Sequence, residues 1–168
     1  EGKYIFIAGD TNHPEVEGIK GHCLGKYFVF KNEEELEKII DNIPYNKNTP
    51  PCVVAQTTFS VLQWENCLKI IKKVYTNAII FDTICNATVE RQSEADFLSK
   101  KCNSMIVIGG KQSSNTAKLR DVCKKNCNTY LIENADELPL SALKEAECIG
   151  ITAGASTPAS IIKEVLDT

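Results

Sequence analysis

The chain has 168 residues, 43% hydrophobic and 24% charged, with a formal net charge of −3. That is the make-up of a globular protein with one ordinary domain or two small ones. The 19 basic residues are scattered and no apolar run approaches the ~20 residues that span a bilayer, so neither nucleic acid nor a membrane is expected as a partner.

In chain order, EGKYIFIAGD opens as an acidic start and a strand, without the pattern of a signal peptide. A polar loop follows, in which Pro14 keeps His13 out of helical geometry and opens a helix. KYFVF (26–30) is a second strand. NEEELEKII (32–40) is a helix, with acids in its first turn and Leu36, Ile39 and Ile40 at helical spacing. PYNKNTPP (44–51) is a surface loop ended by prolines. CVVAQTTFS (52–60) runs from strand into polar loop, and VLQWENCLKIIKKVY is a helix. NAIIFDTIC (77–85) is a strand and TVERQSEADFLSKKC (88–102) a helix. SMIVIGGKQSSN (104–115), NTYLIENADEL (128–138) and CIGITAGAS (148–156) repeat the strand-and-loop pattern. A last helix has Pro158 as its first residue and Ser156 and Thr157 as cap candidates.

The chain holds two copies of one unit. KYFVFKNEEEL aligns with NTYLIENADEL, placing Asn32 on Asn134, Glu35 on Glu137 and Leu36 on Leu138. CVVAQTTFS aligns with CIGITAGAS, Cys52 on Cys148 and Ser60 on Ser156. Strands alternating with helices imply an α/β fold: two similar lobes, 1–82 and 83–168, each a small parallel sheet flanked by helices. Strand 77–85 and helix 88–102 open the second copy and have no counterpart in the first. The chain is therefore expected to start partway into a longer repeat, with further sequence upstream. The eight cysteines lie mostly inside elements: Cys52 and Cys148 start strands, and Cys67, Cys102 and Cys123 fall in helical segments. That favours reduced thiols and a cytoplasmic protein.

In parallel sheets, ligands bind outside the carboxyl ends of the strands, where the polar loops gather. Those loops carry His13, Glu15 and Glu17; Thr57, Thr58 and Ser60; Cys85; Ser113, Ser114 and Asn115; and Thr152 and Ser156. Hydroxyls and amides beside helix N-termini suit a phosphate-type anion, and they equally suit simple helix caps. No Walker or dinucleotide fingerprint is present. Pro14 aims His13 near the loop, where it is either a functional group or a local cap or surface group. Glu15 and Glu17 either complement a helix dipole or supply an acid whose pKa is raised in a dry pocket. Cys85 is either a buried inert thiol or a thiolate ligand at a helix start. The pair Cys123 and Cys127 has no histidine in metal-ligand spacing.

Taken together and in order, HPEVEG, QTTFS, DTIC-ATVERQ, KQSSN and TAGASTP resemble the hydroxymethylbutenyl diphosphate reductase family (IspH, also called LytB), over about residues 4–165. The resemblance implies an iron–sulfur enzyme of the non-mevalonate isoprenoid pathway. Such an enzyme reductively removes a hydroxyl from an allylic diphosphate, giving isopentenyl and dimethylallyl diphosphate. It implies three α/β lobes around a 4Fe–4S cluster held by one cysteine per lobe, of which this chain would form two thirds of a pseudo-threefold trefoil. Cys85 resembles the third cluster ligand, His13 a diphosphate contact and Glu15 the proton-delivering acid. Thr57 resembles the group that positions the substrate oxygen, with Thr58 beside it among the substrate-binding groups. Ser113, Ser114, Asn115 and Ser156 resemble the diphosphate cradle. Arg91-Gln92 fits the pattern without an assigned role, and Gln112 stands where the family often has Asn. The electron donor implied is a ferredoxin or flavodoxin. The first two cluster cysteines and two substrate histidines are expected upstream of Glu1, so the isolated chain is expected to be cluster-free and inactive. Two alternatives are a non-redox module for a phosphorylated metabolite, with Cys85 buried, and a scaffold of capped helices without a ligand.

Overall fold

The parallel ladders expected from the strand–helix alternation are present in a computed structural model that describes residues 4–43 and 49–168. Of the expected loop PYNKNTPP, residues 44–48 lie outside the described residues. The chain divides into two compact units, Glu1–Cys85 and Asn86–Thr168; the sequence places the boundary at 82/83. Among the described residues no helix is long and apolar enough to cross a membrane.

The first unit runs β1 (Tyr4–Ala8), α1 (Pro14–Gly21), β2 (Lys26–Phe30), α2 (Glu33–Asp41), β3 (Cys52–Ala55), α3 (Val61–Val74) and β4 (Ile79–Phe81). Its strands pair in parallel in the order β2-β1-β3-β4. β1 is flanked on both sides, so Phe6, Ile7 and Ala8 are all fully buried, as expected for a central parallel strand. Phe6 packs on Phe28 and Tyr75 with ring centroids 6.1 and 5.7 Å apart. α2 is held at its start by Asn32, whose side chain accepts from the Glu35 amide, while Glu35 Oε2 accepts from the Lys31 amide. The two bonds tie both sides of the helix start to the end of the β2 segment.

The second unit runs α4 (Asn86–Ser99), β5 (Ser104–Ile108), α5 (Ser114–Cys123), β6 (Asn128–Ile132), a 3₁₀ turn (Ala135–Glu137), α6 (Leu140–Leu143), β7 (Ile149–Ala153) and α7 (Ala159–Asp167). Its parallel strand order, β6-β5-β7, repeats β2-β1-β3. β5 is buried on both faces. Met105 and Val107 pack with Leu119, Cys123 and Ala95, and Ile106 and Ile108 with Ile132, Leu143 and Val165.

The duplication holds bond by bond. Gly9 N–H donates to Phe30 O and Gly109 N–H to Ile132 O, each at 2.9 Å. Gln56 N–H donates to Ala8 O and Gly154 N–H to Ile108 O, at 2.8 and 2.9 Å. These bonds correct the sequence alignment of the third strands. Ala8 pairs with Ala55 and Ile108 with Ala153, so Cys52 corresponds to Gly150 and Ser60 to Pro158, two residues away from the Cys-on-Cys match. Identity of residue type misled; the ladder sets the register. The strand expected to open the second copy is corrected too, because β4 pairs with β3 and completes the first sheet. Pro158 is the N-cap of α7, without a side-chain cap bond, and Thr157 Oγ1 donates instead to Ile108 O. Cys102 lies past the end of α4.

Two predictions follow from this packing. Gly109 has φ +149, and a methyl there would sit 2.8 Å from both Thr116 Oγ1 and Thr157 Oγ1. Gly109→Ala is expected to cost about 2 kcal/mol in urea unfolding, from strain plus overpacking. Cys67 on α3 is fully buried, and burial pushes its thiol up to about 12 from the ordinary 9.0. The folded state thus keeps a proton that the unfolded chain releases. The associated stability is complete below pH 9.0 and declines as pH rises toward 12. Replacing Cys67 by Ala should flatten part of that alkaline decline.

Candidate functional site

The structure sets the candidate residues in two groups, one at the carboxyl edge of each sheet. In the first unit β1 ends at Ala8, and the chain turns to His13, the N-cap of α1 with extended backbone (φ −75, ψ 136). Pro14 occupies the first helical position, as the sequence predicts. His13 Nδ1 accepts from the Glu15 amide at 3.2 Å. The cap role is therefore real, and in the neutral ring it leaves the proton on Nε2.

Glu15 does more than complement the helix dipole. Its Oε1 accepts from Thr57 N–H at 2.8 Å and its Oε2 from Thr57 Oγ1–H at 3.0 Å. Both carboxylate oxygens are thus met by one residue of the β3–α3 loop. Thr57 O in turn accepts from Cys85 N–H at 3.0 Å, which brings the end of the β4 segment to the same place. The Glu15 carboxylate and the Cys85 backbone are thus joined through Thr57. Cys85 is exposed, which overturns the expectation of a buried inert thiol. Just before it, the Thr83 hydroxyl donates to Ala55 O and accepts from Ala55 N–H at 3.0 Å, so a side chain takes over where the ladder stops.

Sequence reasoning missed Gln56. It is 1% exposed; its Oε1 accepts from Asp10 N–H at 3.0 Å and its Nε2 donates to Thr58 Oγ1 at 2.9 Å. One buried amide thus pins the loop of His13 and Glu15 to the loop of Thr57 and Thr58. As a glutamine beside two threonines it looks like one more polar loop residue; only its burial marks it. Ser60 caps α3, accepting from Gln63 N–H at 3.4 Å.

In the second unit Ser113 is the N-cap of α5 and accepts from Thr116 N–H at 3.3 Å. Ser114 opens the helix, and Asn115, at its second position, is buried with Nδ2 lacking a hydrogen-bond partner. The ladder register explains this orphan. Asn115 corresponds to Glu15, and the residue corresponding to Thr57 is Ala155, which has no side-chain oxygen to accept from the amide. Ser156 corresponds to Thr58 and is exposed in the turn after β7. Lys111 is turned away from anion binding: its Nζ donates to Glu137 Oε1 at 2.8 Å and its amide to Glu133 Oε1 at 2.8 Å. The hydrogen bond with Glu137 raises the Lys111 pKa, and the same bond holds the Glu137 carboxyl below the usual carboxylate range. The equipment at this edge is therefore neutral donors and backbone N–H groups. Arg91 Nη1 donates to Ala87 O at 3.5 Å within its own helix.

A metal ion finds less. Among the described residues no group of three or more His, Cys, Asp or Glu is placed to hold one. Cys123 is buried, its Sγ–H directed at Ala95 O, so the spacing with Cys127 does not form a site.

Gln56→Ala should remove the acceptor of the Asp10 amide, at a cost of about 1–3 kcal/mol. Hydrogen exchange at the Asp10 amide should accelerate while exchange at Met105, in the other unit, does not change. Unchanged exchange at Asp10 would show that the two loops are held by something else.

Comparison with known proteins agrees with this geometry. The family model described as LytB protein matches residues 1–168. A 4-hydroxy-3-methylbut-2-enyl diphosphate reductase of Caldanaerobacter subterraneus subsp. tengcongensis is 49% identical over 168 residues, covering 99% of this chain and 56% of the relative. A reductase of the same name from Clostridium acetobutylicum is 49% identical over 167 residues, covering 98% of this chain and 25% of the relative. Among solved structures, the E-1-hydroxy-2-methyl-but-2-enyl-4-diphosphate reductase of Plasmodium falciparum superposes with a TM-score of 0.86 at 26% identity, over 99% of this chain and 52% of that one. The chain thus spans little more than half the length of the Caldanaerobacter relative. Two α/β units with parallel sheets, the ordered loop motifs and a match over the full 168 residues agree: the chain belongs to the LytB protein family.

Proposed function

We propose that the chain supplies two lobes of a reductase that removes the hydroxyl of 4-hydroxy-3-methylbut-2-enyl diphosphate, yielding isopentenyl and dimethylallyl diphosphate. The observation that carries this reading is the Glu15–Thr57–Cys85 junction, with an acid bonded through both oxygens to one threonine whose carbonyl holds the thiol's backbone. Loss of the hydroxyl as water consumes two electrons and two protons. Glu15 is the proton source, and Thr57 Oγ1, 3.0 Å from Glu15 Oε2, stands between the acid and the leaving oxygen and orients both.

The diphosphate end belongs to the second unit. Ser113, Ser114 and Asn115 present short neutral donors at the α5 N-terminus, where backbone N–H groups and the helix dipole favour an anion. The unpaired, buried Asn115 Nδ2 supports this assignment, since a buried donor without an acceptor costs stability that a phosphate oxygen would restore. Ser156 joins the same cradle. In the first unit, His13 Nε2 is the remaining donor for a diphosphate oxygen.

A 4Fe–4S cluster would supply the electrons, received from a soluble ferredoxin- or flavodoxin-type donor. Cys85, exposed and one residue before α4, fits as one thiolate ligand. Among the described residues no group of three or more His, Cys, Asp or Glu is placed to complete such a site. The enzyme would act in the cytoplasm.

The test is made in a complete reductase carrying this sequence. Cys85→Ser should abolish cluster content, and Glu15→Gln should lower turnover by about 100-fold or more with the cluster retained. Full activity in Glu15→Gln, or an unchanged iron and sulfide content in Cys85→Ser, would defeat the proposal.

A further inference from the structure

The cysteines outside the candidate site are not spread evenly. Cys102 follows α4, and Cys148 directly precedes β7, at the amino edge of the second sheet. Although 46 positions apart in sequence, their sulfurs lie 2.9 Å from each other. The backbone holds them there. Asn103 N–H donates to Cys148 O at 3.0 Å, Ser104 N–H to the same oxygen at 3.3 Å, and Asn103 Oδ1 accepts from Cys148 N–H at 2.9 Å. By the β5–β7 register Cys148 lies opposite Asn103, one residue from Cys102, so the two cysteines are diagonal neighbours with their sulfurs in contact.

The surroundings suit a thiol reagent. Cys148 is exposed and Cys102 half-buried. Cys102 lies on the wall of an open cavity of about 800 Å³, together with Lys124, Lys125, Asn126, Cys127 and Tyr130. The two lysines make that wall attractive to an anionic partner. No group of three metal-ligating side chains forms among the described residues, so the pair is equipped for bond formation between its own sulfurs.

We propose that Cys102 and Cys148 are a dithiol site that forms a disulfide by exchange with an anionic small-molecule disulfide of the glutathione type. The exposed Cys148 thiolate attacks one sulfur of the small disulfide, forming a mixed disulfide and expelling one small thiolate. Cys102 then attacks Cys148 Sγ, its thiol proton passing to solvent, and the second small thiolate leaves. The two protein thiols are oxidised and the small disulfide is reduced to two thiols, so electrons balance. The hydrogen bond with the Cys148 thiol, with burial added, pushes the Cys102 thiol up to about 11, which suits the resolving role better than that of first nucleophile. The product ties the end of the α4 segment to the start of β7 and requires nothing from the loops at the opposite edge.

The test uses the full 168-residue chain, reduced and then exposed to oxidised glutathione without air. Two of the eight thiols should be lost, and peptide mapping without reductant should return the Cys102 and Cys148 peptides joined, with the loss reversed by dithiothreitol. Cys67 and Cys123, whose thiols burial pushes up to about 12 and about 11, should stay free as internal controls. In Cys102→Ser, glutathione should accumulate on Cys148, a readout that depends on resolution and not on folding alone. Free Cys102 and Cys148 in the oxidised wild type, a crosslink of Cys102 to Cys127, or no adduct on Cys148 in Cys102→Ser would each overturn the proposal.

Discussion

Each unit depends on the last rung of a parallel ladder. At the end of β1, Ala8 O accepts from Gln56 N–H while Gly9 N–H donates to Phe30 O; at the end of β5, Ile108 O and Gly109 N–H do the same with Gly154 and Ile132. The central strand is thereby tied to both neighbours at the point where the chain leaves the sheet. The next residues have no ladder to follow and turn directly into a helix start. Backbone polar groups in a buried strand must be paired, so this rung is obligatory, and it fixes where the functional loops begin to within one residue.

At the carboxyl edge of that common frame the two units differ in the side chains at corresponding positions. The second helical position holds Glu15 in one and Asn115 in the other, and the residue opposite is Thr57 or Ala155. In the first unit this gives a carboxylate satisfied twice over; in the second it gives an amide with a spare donor. Gln56 crosses between loops, whereas the corresponding Gly154 has no side chain and is closely approached by Thr116. The same position in the frame therefore carries a paired carboxylate in one unit and an unpaired amide donor in the other.

Much of this was legible in the sequence, because strand–loop–helix alternation, proline at a helix start and acids in a first turn are local signals. Pro14 at the first position of α1 follows from such a signal. The misses are non-local. The third-strand register was misplaced by two residues because matching cysteines carry no information about hydrogen-bond pairing. β4 was given to the second copy because its partner strand, β3, is separated from it by a whole helix. Thr157 was read as a cap and instead bonds to Ile108 O, 49 residues away. Gln56 could not be told from its polar neighbours, since its burial depends on two loops closing over it. The ordered motifs exposed the family more readily than any single loop exposed its chemistry.

The crowding around Thr116 has a further consequence. Its hydroxyl is fully buried between Gly109 and Gly154, and a methyl at either glycine would meet it. Thr116 lies in the first turn of α5, Gly109 follows β5 and Gly154 follows β7, yet none can change independently. A larger residue at Gly154 becomes tolerable only after Thr116 has shrunk, and Gly109 is bound by its backbone angle in any case. Sequence drift at this edge is therefore ordered: the threonine must change first, and until it does Gly154 is held in place by a neighbour 38 residues before it in the chain.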